Sequence, residues 1–432
     1  MAQDTQFKMG LEADAVLRLG MLLMGAGAGG YRVIRGMKRA ARALGFDNMD
    51  AVISVTTITC TFHRGEQFRT IVANQDSPDV DASRIEALEN LTHGLQRRIT
   101  VDELNGYLDE IDRGVVKRWP HWFRAVAAGV ACASFAVLNR FATPEVVLVA
   151  LSACAGQSVR GWMGKHKVRQ LGGVAAGGVV ACLVYYLIIQ VLGLTGVVDP
   201  ERLNVGFVAA VLFLVPGFPL FSAMIDLSRF DMDAGISRLT YALTIIITAT
   251  FSVGMISWVT GMNPAPVVAD PMAWWQWYPL AAVASFAGIA GFAFLFNSSR
   301  RMVLVASLVG TTANVARLAL VEAGLSPYMA AFIGGLIIGG LGAVAVTTAH
   351  IPRVTSTVPA AVIMIPGPAM FRAIHALNEG LMDDAVSHAA TAMMTVIAIG
   401  AGLVAARMLT DKDWAFGVYI NFDKKLEPAA DD

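Results

Sequence analysis

Charge is what this chain has least of. Lys and Arg together number 33 of 432 residues and Asp and Glu another 33, whereas 56% of the chain is hydrophobic and the mean hydropathy is +0.58. So little polar surface cannot coat a soluble fold of this size, and the composition points to an integral membrane protein. Cysteine is scarce too: Cys60, Cys132, Cys154 and Cys182 lack paired spacing, and three of them lie in apolar stretches. They read as small core residues, not as disulfides or metal ligands. His63, His93 and His121 show no metal spacing either, and no nucleophile, base and orienting group assemble. Neither a cofactor nor an enzymatic role is expected, and no nucleic-acid partner. The polar stretch Met1–Gly10 lacks the apolar core of a signal peptide, which leaves the N-terminal part on the cytoplasmic side.

The charges that exist are concentrated, because residues 1–118 hold nearly half of them. An aqueous domain therefore precedes a membrane domain. The aqueous part reads as a long helix over about 10–45, a hairpin of strands over about 51–61 and 67–74, and helices over about 81–98 and 100–115. Ser83 or Asp81 starts the third of these elements, and Thr100-Val-Asp-Glu103 is a capping box for the fourth. The run Gly25-Ala-Gly-Ala-Gly-Gly30 contains GxGxxG, but a helix-period stretch precedes it where a dinucleotide site needs a strand. It reads instead as a helix break or a place of close packing. Arg32, Arg35, Arg39 and Arg42 share one helical face, which suits anionic lipid, the membrane domain or plain solvent.

From Phe123 onward, ten apolar stretches are long enough to span: 123–142, 144–159, 171–192, 205–228, 236–260, 279–297, 302–321, 327–348, 357–375 and 386–408. The second is the shortest. Lys117, Arg118, Arg124, Arg160, Lys165, Lys167, Arg169, Arg300, Arg301 and Lys412 all fall on one side if both termini are inside. The opposite loops carry Trp274, Trp275, Trp277 and Tyr278, which suit an outer aromatic belt, with Trp119 and Trp122 as its inner counterpart. The expected segments are a cytoplasmic α+β domain over 1–118, membrane modules over 119–262 and 263–409, and a polar tail over 410–432.

Two passages of the membrane part are the same text. Phe213-Leu-Val-Pro216-Gly217 recurs as Ile363-Met-Ile-Pro366-Gly367, and Phe221, Ala223, Leu227, Met232, Asp233 and Ser237 recur in register at a constant offset of 150. The copies fall in the fourth and ninth spans, five helices apart, and an odd number of helices per repeat turns the second copy upside down. A weaker echo pairs Gln157-Ser-Val-Arg160 with Asn314-Val-Ala-Arg317. The expected fold is an α-helical polytopic membrane protein of ten transmembrane helices, arranged as two inverted five-helix repeats. Each proline removes a backbone donor and displaces a carbonyl one turn earlier: Leu212 and Val362 for Pro216 and Pro366, Val215 and Met364 for Pro219 and Pro368. Freed carbonyls beside amides starting at Gly217 or Gly367 suit a zwitterion, the carbonyls for an ammonium and the amides for a carboxylate. A plain kink, with glycine permitting close packing, is the other reading.

Polar side chains near these breaks are few: Asp226, Arg372, His375, and the pairs Gln157 with Arg160 and Asn314 with Arg317. Ionisable groups at membrane depth are functional candidates, because burying them unpaired is costly. Arg317 and Arg160 can equally snorkel to the headgroups, Asp226 can cap a half-helix, and Asp233, Asp383 and Asp384 read as helix N-caps.

Gly20–Val33, Ala43-Leu-Gly45, the strand pair and the Leu-Val-Pro-Gly passage up to Gly235 resemble the N-terminal portion of the threonine/serine exporter family. Residues 280–408 resemble its smaller C-terminal module. The resemblance implies about ten membrane helices, a cytoplasmic N-terminal domain, and export of small hydrophilic amino acids across a bacterial cytoplasmic membrane driven by protons. Relatives with the modules on separate chains imply dicarboxylate export of the succinate type as the alternative. Two departures stand out, Gly-Ala-Gly-Gly-Tyr31-Arg32 where relatives tend to have a Ser-Gly-Ala run, and Arg372 after Phe371. A secondary active exporter of threonine or serine, its substrate between the two Pro-Gly breaks, is the leading expectation; a passive channel and a membrane-anchored sensor are its rivals.

Overall fold

The computed structural model describes residues 2–75, 79–115, 117–196, 203, 205–262, 272–417, 420–422 and 426. Tertiary contacts gather them into two compact units, one of residues 1–118, 218–241 and 408–432, the other of residues 119–217 and 242–407.

The first unit opens with two helices where one was expected, α1 (Ala2–Gly25) and α2 (Gly30–Leu44). Gly27 separates them at φ +88, a left-handed conformation that a residue with a Cβ resists. The glycine run is thus a helix break. Three antiparallel strands follow, in the order β1 (Asn48–Ile53), β2 (Thr57–Arg64), β3 (Gln67–Asn74). Cys60 of β2 stands opposite Ala51 on one side and Ile71 on the other. The expected hairpin had joined β1 to β2, because the Ser54–Thr56 connection carries neither Gly nor Pro to mark a turn. Alternate β2 residues Ile58, Cys60 and Phe62 are buried. Burial pushes the Cys60 thiol up to about 12, so it is an inert core residue. In α3 (Ala82–Gly94) the cap is Asp81, whose carboxylate accepts from the Arg84 amide at 2.9 Å. The capping box of α4 (Val101–Gly114) is present, with both reciprocal bonds between Thr100 and Glu103.

The basic stripe on α2 finds partners within the first unit. Arg32 pairs with Glu89 of α3, Arg35 meets Asp413 at 3.1 Å, and Arg42 donates to the carbonyl of Asn421 at 3.2 Å. Burial, with Arg35 nearby, lowers Arg39 to about 10.

In the second unit, α5 (His121–Leu138), α6 (Thr143–Lys165) and α7 (Gln170–Leu194) pack in sequence. So do α11 (Trp274–Leu295), α12 (Arg300–Glu322) and α13 (Pro327–Ala349), and α11 also lies on α5. The span expected to be shortest is the 23-residue α6. Long α10 (Met232–Thr260) and α16 (Met382–Thr410) each contribute residues to both units. Together these give eight helices, among the described residues, that are long and apolar enough to cross a membrane. The remaining two expected spans are bent pairs. One joins α8 (Phe207–Ala210) and a 3-10 turn (Leu212–Leu214) to α9 (Gly217–Leu227) with a bend of 58°; the other joins α14 (Arg353–Val362) to α15 (Gly367–Asn378) with a bend of 49°. The protein is therefore mostly helical, with eight to ten candidate spans and one small sheet.

Two expectations about the ends of spans need correction. Trp277 is buried, with the Arg140 guanidinium 4.1 Å from its ring centroid, so it leaves the exposed belt to Trp274 and Trp275. Helices α10 and α16 begin at Met232 and Met382, which puts Asp233, Asp383 and Asp384 inside their first turns and not ahead of them.

Candidate functional site

Both Pro-Gly breaks are closed by the same hydrogen bonds. In the first, Leu214 donates to Val211, Val215 to Leu212 and Gly217 to Val215; in the second, Met364 donates to Ala361, Ile365 to Val362 and Gly367 to Ile365. The last bond of each set spans two residues across the proline. Pro366 has φ −81 and ψ 60, the geometry of an inverse γ-turn. This overturns part of the expected chemistry. The Leu212, Val362 and Val215 carbonyls already accept from their own chain, and the Gly217 and Gly367 amides are already spent. Each of those carbonyls keeps one further lone pair.

The breaks also touch one another. A Cβ on Gly217 would come within 2.5 Å of a Val362 methyl, and one on Gly367 would overlap Leu212. Position 362 is 212 shifted by 150, and 367 is 217 shifted by the same amount, so the two contacts exchange roles. At an offset of 157, Phe135 corresponds to Phe292, and these rings meet edge to face at 5.8 Å and 82°. Gly288 lies against Ser134, and Gly291 against Ala131, again with roles exchanged. Gly178 faces Ala249 and Ser252 as Gly335 faces Ile399 and Gly402. The residues that line the contact between the breaks are Phe135, Leu212, Val215, Phe292, Val362, Ile365 and Gly367, an almost wholly apolar set.

The polar candidates fall around this core. Arg160 donates to the carbonyl of Phe213, three residues before Pro216, at 3.5 Å, and its Cβ packs on Gly177, which also faces Leu214. Arg317 has its Cβ by Gly334, which faces the Met364 sulfur, and its Nε donates to Asn314 at 3.0 Å. Each arginine therefore stands by the break of its own half. Asn314 is fully buried and donates onward to Ser285 at 2.8 Å. Gln157 is buried too, with a side-chain oxygen that no described group meets. Arg372 is half-buried on α15, and His375 lies 3.4 Å from the Ser257 hydroxyl.

Asp226 belongs to the other unit. Its carboxylate accepts from the Gly30 amide at 3.1 Å and lies 3.1 Å from Arg238, which in turn donates to the Ala28 carbonyl at 2.5 Å. The aspartate thus ties the start of α10 to the loop between α1 and α2.

One group escaped the sequence reasoning. Glu145, third residue of α6, is 1% exposed, and it is the one buried carboxyl among the described residues of the second unit. It accepts from the amides of Gly206 at 3.1 Å and Ala142 at 3.2 Å, with the Tyr185 hydroxyl at 3.4 Å. Thr143-Pro-Glu145 reads as an ordinary helix start, and only the fold brings Gly206 and Tyr185 to it.

Eight to ten apolar spans, two of them broken against each other, define a multi-pass membrane protein. The chain belongs to the threonine/serine exporter family. Residues 14–259 match the family model described as "Putative threonine/serine exporter", and residues 281–409 match a second model described as "Threonine/Serine exporter, ThrE". A protein of Mycobacterium tuberculosis named as a probable threonine/serine exporter is 22% identical over 92% of this chain and 76% of its own length. The probable succinate transporter subunit YjjP of Escherichia coli is 21% identical over 56% of this chain and 92% of its own length. No solved structure matches the chain.

Proposed function

We propose that the protein is a secondary active exporter of small hydrophilic amino acids, threonine or serine first, that carries its substrate between the breaks at Pro216-Gly217 and Pro366-Gly367. The observation that carries this reading is the exchange of roles between Gly217 with Val362 and Gly367 with Leu212. Such exchange is what an in-plane two-fold axis between inverted repeats produces, and transporters of that design bind substrate at the repeat interface. Rocking one five-helix repeat against the other opens the site to each side in turn. Both termini and the N-terminal domain then lie in the cytoplasm, with the spans in the inner membrane. Gln157, Arg160, Asn314 and Arg317 would flank the substrate, with Arg372 beyond the second break. The test is efflux of radiolabelled threonine from loaded proteoliposomes. A Pro216→Ala, Pro366→Ala double variant that still folds should lose at least about tenfold in rate, a cost of about 1.4 kcal/mol in the barrier. Undiminished efflux would sink the proposed path.

A dicarboxylate is the second reading, supported by Arg160 and Arg317, which set one cation beside each break and so suit the two ends of a dianion. The name of the relative from Escherichia coli points the same way. Counterflow of threonine against succinate in the same proteoliposomes separates the two.

The proposed coupling ion is the proton and its proposed carrier Glu145, because a buried carboxyl held by amides and a hydroxyl can exchange a proton as its surroundings open. Glu145→Gln keeps the shape and an acceptor. We expect it to retain substrate counterflow while its net efflux stops responding to an imposed pH gradient. An unchanged response would remove Glu145 from the coupling, and a wild-type protein indifferent to the gradient would be a passive channel.

A further inference from the structure

Around the turn between α9 and α10, four charged residues depart from their duplicates, although Asp233 is kept as Asp383. Asp226, Arg229, Asp231 and Arg238 correspond, 150 residues on, to Ala376, Glu379, Leu381 and His388. The backbone, in contrast, is kept: Phe230 has φ +60 and its counterpart Gly380 has φ +76. Glycine adopts that conformation freely, whereas an aromatic residue there is strained. Burial does not compensate, since Phe230 is 82% exposed. A strained and exposed aromatic points to something outside the chain's own packing.

Beside it lies a cavity of about 240 Å³ within the first unit. Its polar lining comes from Tyr31, Arg35 and Lys38 of α2 and from Arg229 and Asp231 of the turn, with Phe230 at the edge. Arg229 is fixed in place, its guanidinium 3.9 Å from the Tyr31 ring centroid and donating to the Trp414 carbonyl at 3.1 Å. The Lys38 side chain is only 13% exposed, with Asp50 at 3.9 Å. Arg35 donates to the Tyr31 hydroxyl at 3.1 Å and meets Asp413 at the same distance. Asp231 is the negative member of the lining, and it spends its carboxyl on the Ala234 amide, while burial and Asp226 push its pKa above the usual carboxylate range. Three cations thus converge on a small cavity from two elements.

We propose that this cavity binds a phosphate group, held by Arg229, Lys38 and Arg35, with Phe230 against whatever apolar part the phosphate carries. Phosphate suits the arrangement because its several acceptor oxygens can meet donors from separate directions, and arginine offers them in a planar fork. A free phosphate and a phospholipid headgroup share this chemistry. Nothing in the inference depends on which substrate the protein exports.

The test uses the full chain in nanodiscs, read by the fluorescence of Trp414 beside Arg229. One arm titrates inorganic phosphate into discs of neutral phosphatidylcholine; the other replaces part of the neutral lipid by phosphatidylglycerol. A saturable change in the first arm assigns a free phosphate, and a change confined to the second assigns a headgroup. In either case Arg229→Gln with Lys38→Gln should weaken the response at least tenfold, and exposed Arg113→Gln should leave it alone. Lys38→Gln alone serves if the double variant does not fold. Phe230→Gly, which relieves the backbone, should raise the unfolding temperature, and where the ligand is a lipid it should also weaken binding. The proposal is overturned by the absence of a saturable change in both arms, by an unaltered response in the Arg229 and Lys38 variants, or, where the second arm assigns a headgroup, by full binding of the lipid in Phe230→Gly.

Discussion

Replacing Arg238 by Met is expected to cost the protein about 3–5 kcal/mol, because it strands a carboxylate in the interior of the first unit. Asp226 and Arg238 are 1% and 4% exposed. Neither charge can turn to water when its partner is removed. The arginine also holds the Ala28 carbonyl, so the glycine run loses an anchor with it, while the Gly30 amide stays on an aspartate that has lost its partner. That run cannot simply be refilled: a Cβ on Gly30 would stand 2.7 Å from Ala234, and one on Gly29 3.2 Å from Asp226. Replacing both charges, with Asp226→Leu added to Arg238→Met, should recover most of the loss, since a buried pair exchanged for apolar groups is often close to neutral. Denaturant unfolding of the four proteins of the cycle, in one detergent, measures the coupling. If the double variant shows the plain sum of two large single losses, the pair is not the link between α10 and the N-terminal loop. The latch is also asymmetric, because the duplicate has Ala376 and His388 in these places.

How far the sequence reaches depends on the range of the interaction being read. Local signals survive intact. The Thr100 to Glu103 box, the Asp81 cap and the Pro-Gly bends all follow from neighbouring residues, and all are present. Duplication was legible because register is a property of the text alone. What the sequence hides is the use to which a polar group is put. Asp226 reads from sequence as a candidate at membrane depth or a half-helix cap, and its partners lie twelve residues ahead and, at Gly30, nearly two hundred behind. Glu145 passed for a helix start because Gly206 and Tyr185 arrive only in three dimensions. Removing a donor frees a carbonyl only if the chain continues as a helix, whereas here it tightens into 3-10 and γ-turn bonds that absorb Leu212, Val215 and Val362. On the proposed reading, substrate recognition at the breaks would draw on second lone pairs and on the side chains of Arg160, Asn314 and Arg317 more than on open backbone.

Adding one methyl group at either break should be corrected only by shortening the residue it strikes. Neither Gly217 nor Gly367 has a positive φ, so alanine is acceptable to the backbone at both, and space alone is at issue. Gly217→Ala meets Val362, and Gly367→Ala meets Leu212. Overpacking of this kind costs about 1–3 kcal/mol when the neighbours cannot yield, which corresponds to about 5- to 150-fold in the population of the close-packed state. Val362→Ala should then rescue Gly217→Ala, and Leu212→Ala should rescue Gly367→Ala, while the crossed combinations accumulate both a clash and a cavity. Stability and efflux need not move together. If the breaks part during transport, a wedge that weakens the closed form disfavours one end of the cycle, and efflux falls by the factor by which that form is depleted. Rescue must then restore the rate as well as the unfolding midpoint. Equal rescue by either partner would mean that Gly217 and Gly367 do not have separate partners, and the exchange of roles on which the inverted arrangement rests would fail with it.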